Sequence, residues 1–162
     1  MVLGMKQQQY NTRLTATKCF LGVVSLMCGC MIYLLFRSKS INIYMWSESL
    51  GLKKHIDYLR NSVCDWQVND FFKYSLPDCL YCIAYILLID AIWQDDKRPI
   101  KFFIIAIVPI IAIVYELLQS YGIVHGTYDV TDLLCYSLPL VLYFILIRFK
   151  HFYNNKSKAQ QL

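Results

Sequence analysis

Two polar pairs interrupt otherwise apolar sequence, Glu116-x-x-Gln119 and Asp129-x-x-Asp132. A spacing of three puts each pair on one face of a helix. Asp78, His125 and Thr127 lie in the same kind of setting, at the edges of apolar runs. Carboxylates and amides in this arrangement accept hydrogen bonds from a donor-rich ligand or hold a cation. Acids at membrane depth are costly to keep, so each one needs a reason. Asp129 fits a helix N-cap, and Asp132 sits where the acid of a capping box would. Asp78 follows Pro77 and favours the positive end of a helix dipole. Gln119 serves equally as glue between helices, and His125 as a plain loop residue. Glu116 has no such excuse. It falls near a helix C-terminus, the wrong end for an anion, and needs a proton, a donor or a cation.

A second chemistry is carried by Cys79-x-x-Cys82, with Cys64 in a polar segment. Four-helix quinone-linked thiol oxidoreductases of the DsbB type place such a pair at the outer end of a membrane helix. Here the pair falls within the helix. Seven cysteines, mostly inside apolar runs, do not form a disulfide framework. Their simplest role is that of small buried hydrophobes. A metal-assisted hydrolase using Glu116, His125, Asp129 and Asp132 is a third reading. The ligand types suit a divalent cation, but the spacing matches no strong metal motif. No P-loop, dinucleotide fingerprint, zincin motif or nucleophile elbow occurs. No metal, cofactor or catalytic residue is therefore expected.

Four elements must position these residues. Each membrane helix needs about 20 mainly apolar residues, and the runs near 17–36, 74–93, 100–119 and 130–149 qualify. The expected fold is an all-α membrane protein, a single domain of four transmembrane helices in a bundle. The first run follows Lys6, Arg13 and Lys18 and closes on Arg37 and Lys39. It is too long for a signal-peptide core, so it is expected to remain as a span. Gly122 and Gly126 suit a tight turn between the last two helices. Pro109 and Pro139 lie inside helices three and four and predict bends there. Residues 154–162 read as a flexible polar tail.

Basic residues set the orientation. Lys6, Arg13 and Lys18 precede helix one. Lys97, Arg98 and Lys101 lie between helices two and three, and Arg148, Lys150, Lys156 and Lys158 follow helix four. The segment from Ser120 to Thr131 holds no Lys or Arg. Both termini are thus expected on the cytoplasmic side and the polar pairs at the outer leaflet. The long first loop breaks the pattern with Arg37, Lys39, Lys53, Lys54, Arg60 and Lys73. Within it, Leu52, Ile56, Leu59 and Val63 recur at helical spacing, opposite Lys53, Lys54, Asp57 and Arg60. That predicts a short amphipathic helix, capped by Ser47 or Ser49, on the membrane surface or on the bundle mouth. Asp90 is expected near the inner end of helix two, beside Asp95 and Asp96, reaching the interface.

Composition supports the class. The chain has 162 residues, 57% hydrophobic and only 17% charged, where a soluble domain carries about a quarter. The net charge of +5 is concentrated beside the apolar runs, where lipid headgroups lie. It forms no basic stripe for nucleic acid. The expected partners are membrane lipids and an amphiphilic or lipid-linked ligand, with no nucleic acid.

The stretch YELLQSYGIVHGTYDVTDLLCY, Tyr115 to Tyr136, resembles the VanZ-like family of small multi-helix membrane proteins. The resemblance rests on Glu-x-x-Gln closing one helix, a short glycine-containing loop, then Asp-x-x-Asp opening the next. It maps Glu116, Gln119, Thr127, Asp129 and Asp132 onto the family's polar motif. Many members carry an Arg in the loop before the Asp pair, where this chain has Gly126-Thr127-Tyr128. The resemblance implies a cell-envelope protein of the bacterial inner membrane, in a family associated with glycopeptide resistance. Ligand binding at the outer cluster and a purely structural membrane subunit are the two main functional expectations.

Overall fold

The computed structural model describes residues 2–39, 42–94, 96 and 98–159. Six α-helices follow in order: α1 (Val2–Phe36), α2 (Asn42–Ser49), α3 (Lys53–Ser62), α4 (Leu76–Ile92), α5 (Ile100–Ser120) and α6 (Val130–Ala159). A π-helical turn, Phe71–Ser75, leads into α4. Among the described residues, four segments are long and apolar enough to cross a membrane: Asn11–Phe36, Phe71–Ile92, Ile100–Ser120 and Val130–Phe149. The chain is an all-α integral membrane protein.

The helices alternate in direction, and α4 is central, packed against α1, α5 and α6. Close approach of α1 to α4 depends on glycine. A Cβ on Gly22 would lie 2.8 Å from Leu88 Cγ, and one on Gly29 would lie 3.3 Å from Tyr81 Cε1. Small residues at such a seam let two helices touch where lipid supplies no hydrophobic drive between them. The buried centre is Cys82, Ile86 and Ile105, with Tyr85, Tyr136 and Tyr143 packed around it. Phe103, Ile111, Leu138 and Leu146 point outward, as lipid-facing side chains must. The Tyr85 hydroxyl donates to the Ile104 carbonyl at 2.5 Å, beside the turn where Pro109 has no N–H to give.

Several boundaries differ from the sequence reading. Helix α1 starts fifteen residues before the predicted 17, at Val2. Thr12, Thr15 and Thr17 each donate back to the carbonyl four residues earlier, so polar side chains continue the helix. Helix α6 continues to Ala159, past residue 154 where a flexible tail was expected. No Gly or Pro follows Pro139 to stop it. Residues 160–162, Asp95 and Lys97 lie outside the described residues.

The first loop is more structured than expected. Ser47 and Ser49 lie within α2, a helix the sequence reading missed, so neither caps α3. The cap position is Leu52, with no side-chain bond. The polar face of α3 is the one that holds the protein. Arg60 Nη1 and Nη2 donate to the carbonyls of Leu34 and Arg37, at 2.5 and 2.6 Å. These carbonyls end α1 and have no helical donor, so a cation there is doubly favourable. Leu52, Tyr58 and Leu59 stay exposed.

Asp57 ties α3 to its neighbours, accepting from Lys39 Nζ at 2.8 Å and from the Tyr44 hydroxyl at 2.7 Å. The Lys39 bond, then the Tyr44 bond, hold its carboxyl below the ordinary value of 3.8. A carboxyl lowered in the folded state stabilises above its unfolded pKa, and that stabilisation disappears as pH falls through the folded value. Hydrogen-exchange protection in α2 and α3 is therefore expected to stay level from neutral pH down to about 4, then to fall. Asp57→Asn should exchange fast throughout. Wild-type protection that persists at pH well below the folded value would show that this carboxylate does not hold the loop.

Candidate functional site

The loop between α5 and α6 begins with a helix stop. Gly122, at φ 68°, follows the end of α5. Its N–H donates to the Gln119 carbonyl at 2.9 Å, and the Ile123 N–H to the Leu118 carbonyl at 3.0 Å. This paired pattern is a Schellman stop, and it needs the left-handed residue that glycine supplies. The chain then returns over Gln119. A Cβ at Gly126 would lie 2.6 Å from Gln119 Cδ, so a side chain there would push the amide aside, and the φ of 149° itself favours glycine.

Glu116 is 5% exposed. Its Oε1 accepts the Asp129 N–H at 2.7 Å. The carboxylate thus sits at the wrong end of α5 but at the right end of α6, where free N–H groups and the positive end of the dipole face it. Asp129 caps α6 as the spacing predicts. Its Oδ1 accepts from both the amide and the hydroxyl of Thr131, at 2.8 Å each. The Thr131 amide, then its hydroxyl, hold the Asp129 carboxyl below the usual range. A capping box would also need Asp132 to take the Asp129 N–H. Glu116 has taken it, so that role is closed to Asp132. Asp132 Oδ1 is buried and makes no hydrogen bond. The Thr131 hydroxyl also meets buried Ser75 at 2.8 Å, which fixes α6 against the start of α4.

Around these groups lies a cavity of about 480 Å³. Asp78, Glu116, Gln119, Thr127 and Asp132 line it, together with Tyr136. A smaller apolar chamber of about 100 Å³ adjoins it, sharing Asp78, Val108, Ala112 and Tyr136 as lining and adding Tyr81, Cys82 and Pro109. The combined space has an acidic, amide-bearing mouth and an apolar floor. The structure thus brings five of the seven sequence-selected side chains to one space. The Asp129 carboxylate is spent on capping, and His125 is exposed and does not line the cavity.

Two contributors were missed from the sequence. Tyr136 lies one turn after Asp132 on the same face of α6, a spacing that could have revealed it. Its hydroxyl faces Asp78. Arg37, at the end of α1, lies between the rings of Tyr33 and Tyr74, at 4.9 and 5.0 Å. Its charge reaches Asp78, and its Nε is buried without a hydrogen-bond partner. No local pattern links Arg37 to a carboxylate far along the chain.

The other two chemistries find less support in the geometry. Among the described residues, no group of three or more His, Cys, Asp or Glu side chains converges as a metal site. The cysteines are free thiols. Cys82 is buried, with Sγ 3.6 Å from the Tyr136 carbonyl, and Cys79 neighbours Cys135 on α6.

At the opposite end of the bundle lies a second polar cluster. Asp90 Oδ2 meets Lys18 Nζ at 2.5 Å, and Oδ1 meets Lys101 Nζ at 2.6 Å. The Tyr143 hydroxyl donates to Oδ1 at 2.8 Å. Lys18 also donates to Gln94. Asp90, expected near the inner end of helix two, is 7% exposed and joins α1, α4, α5 and α6.

No family model matches the chain, and no curated protein and no solved structure matches it.

Proposed function

We propose that this chain is a VanZ-like envelope protein that binds the polar part of an amphiphilic or lipid-linked ligand in the cavity between α4, α5 and α6. The observation that carries this reading is the buried, unpaired Asp132 Oδ1 facing a cavity already lined by Asp78 and Glu116. A buried acceptor without a donor is costly, and a bound donor relieves that cost. Carboxylates dominate the mouth, so the ligand presents hydroxyl, amide or ammonium groups. The adjoining apolar chamber suits the start of a hydrocarbon chain. Arg37 supplies positive charge from α1, where family members carry an Arg in the loop before the Asp pair.

In this reading the protein lies in the bacterial cytoplasmic membrane with both termini inside, so the cavity opens at the outer leaflet. Three of the six basic residues that run against this orientation are held within the protein: Arg60 on α1 carbonyls, Lys39 on Asp57 and Lys53 on Glu48.

The test is mass spectrometry of lipids and small amphiphiles that copurify with wild type and with Asp132→Asn. Asp132 makes no bond at Oδ1, so the variant should keep wild-type stability while losing the ligand by tenfold or more. Equal ligand content in both proteins, or no specific ligand in wild type, would leave a structural subunit as the better reading.

A further inference from the structure

A second cavity, of about 270 Å³, lies between the end of α1 and the chain from Arg60 to Lys73. It shares no lining residue with the acidic cavity. Three cations line it, Lys39, Arg60 and Lys73, and no carboxylate does. Lys39 is paired with Asp57. Among the described residues, Arg60 donates only to neutral carbonyls, which leaves its charge uncancelled. Lys73 Nζ stands 5.2 Å from the Tyr74 ring centre. Among the described residues, no carboxylate forms an ion pair with Arg60 or Lys73. The concave site therefore holds a net positive charge with room beside it.

We infer that this crevice binds the phosphate of an anionic lipid headgroup. Depth favours a lipid over a free anion. One membrane span ends at Phe36 and the next begins at Phe71, so the crevice lies where two crossings leave the hydrocarbon. Beside Asn61 and Cys64, an apolar side is formed by Leu35, Phe36, Val63 and Val68. Trp66 lines it too and is 65% exposed, as an indole at the headgroup level would be. A phosphate ion alone has no use for that apolar half, whereas a phospholipid lays its glycerol and upper acyl carbons there. Uncancelled Arg and Lys beside an anionic lipid are each a measurable attraction.

Native mass spectrometry of the full chain in neutral detergent tests this. Phosphatidylglycerol and phosphatidylcholine of matched acyl chains are added separately, with inorganic phosphate as a third probe. Wild type should retain phosphatidylglycerol in preference to phosphatidylcholine. Lys73→Gln should weaken that binding by about fivefold, the effect of one basic residue beside an anionic headgroup. Lys73→Arg should restore it. Lys54→Gln, an exposed lysine outside the crevice, should bind as wild type. Equal retention of the two lipids, or equal loss in Lys54→Gln and Lys73→Gln, overturns the site. Inorganic phosphate binding as well as phosphatidylglycerol overturns its assignment to a lipid. Asp132→Asn should leave the preference unchanged, which separates this site from the acidic cavity.

Discussion

Asp90→Ala is expected to destabilise the protein by about 3–5 kcal/mol, the usual cost of removing one partner from a buried ion cluster. Charge arithmetic fixes the direction. One carboxylate faces two ammonium groups, Lys18 and Lys101. Removing Asp90 leaves two like charges together, with the Tyr143 hydroxyl deprived of its acceptor. Removing one lysine leaves a neutral pair, so Lys101→Met should cost far less than Asp90→Ala. Lys18 is the less buried of the two, at 18% side-chain exposure against 9% for Lys101. It has room to reach toward the headgroups when Asp90 is absent. Replacing all three charges together, as Lys18→Met, Asp90→Leu and Lys101→Met, should recover most of the loss, because desolvation then falls on no ion. Thermal and chemical unfolding in detergent measure the series. If Asp90→Ala and Lys101→Met were equally mild, the cluster would be wetted and not a structural node.

Glu116 is expected to separate shape from charge. Glu116→Ala removes the acceptor of the Asp129 N–H. Bonds to a charged group contribute about 1.5–3 kcal/mol, and a loss of that size is expected. Glu116→Gln keeps a carbonyl oxygen at the same place, so α6 should stay anchored and most stability should remain. Ligand retention should behave differently. Both variants remove a negative charge from the cavity, and both should weaken a ligand held by ammonium or hydroxyl donors. Unfolding curves and copurifying ligand content, measured on the same samples, give the two readouts. Glu116→Gln as unstable as Glu116→Ala would mean that α6 requires the charge itself. Glu116→Gln retaining full ligand would mean that Glu116 serves only as an anchor.

Much of this protein was legible in its residues. Four apolar runs of spanning length fix four crossings, because lipid offers no partner for an exposed backbone and the helix satisfies its own. Asp129 as a cap followed from its type and place, and the Asp129 N-cap bond to Thr131 is local. Gly122 as a helix stop is local too. The gathering of Asp78, Glu116, Gln119 and Asp132 followed from counting residues along alternating helices, whereas Asp129 and His125, counted with them, do not line the cavity.

What the sequence could not assign was the partner of each polar group. Glu116 and Asp132 compete for one amide, and only the approach of α5 to α6 decides that Glu116 takes it and Asp132 is left unpaired. Asp90 and Asp132 are both acids within apolar sequence. One is matched by lysines from two other helices and the other by none. In α3 the pattern of apolar and polar faces was visible, but not that Arg60 would hold the carbonyls of α1 while Leu52 and Leu59 stay outward. Periodicity reports which residues share a face. It carries no information about what faces them, since a hydrogen bond or ion pair acts over a few ångströms between atoms that tertiary packing alone brings together.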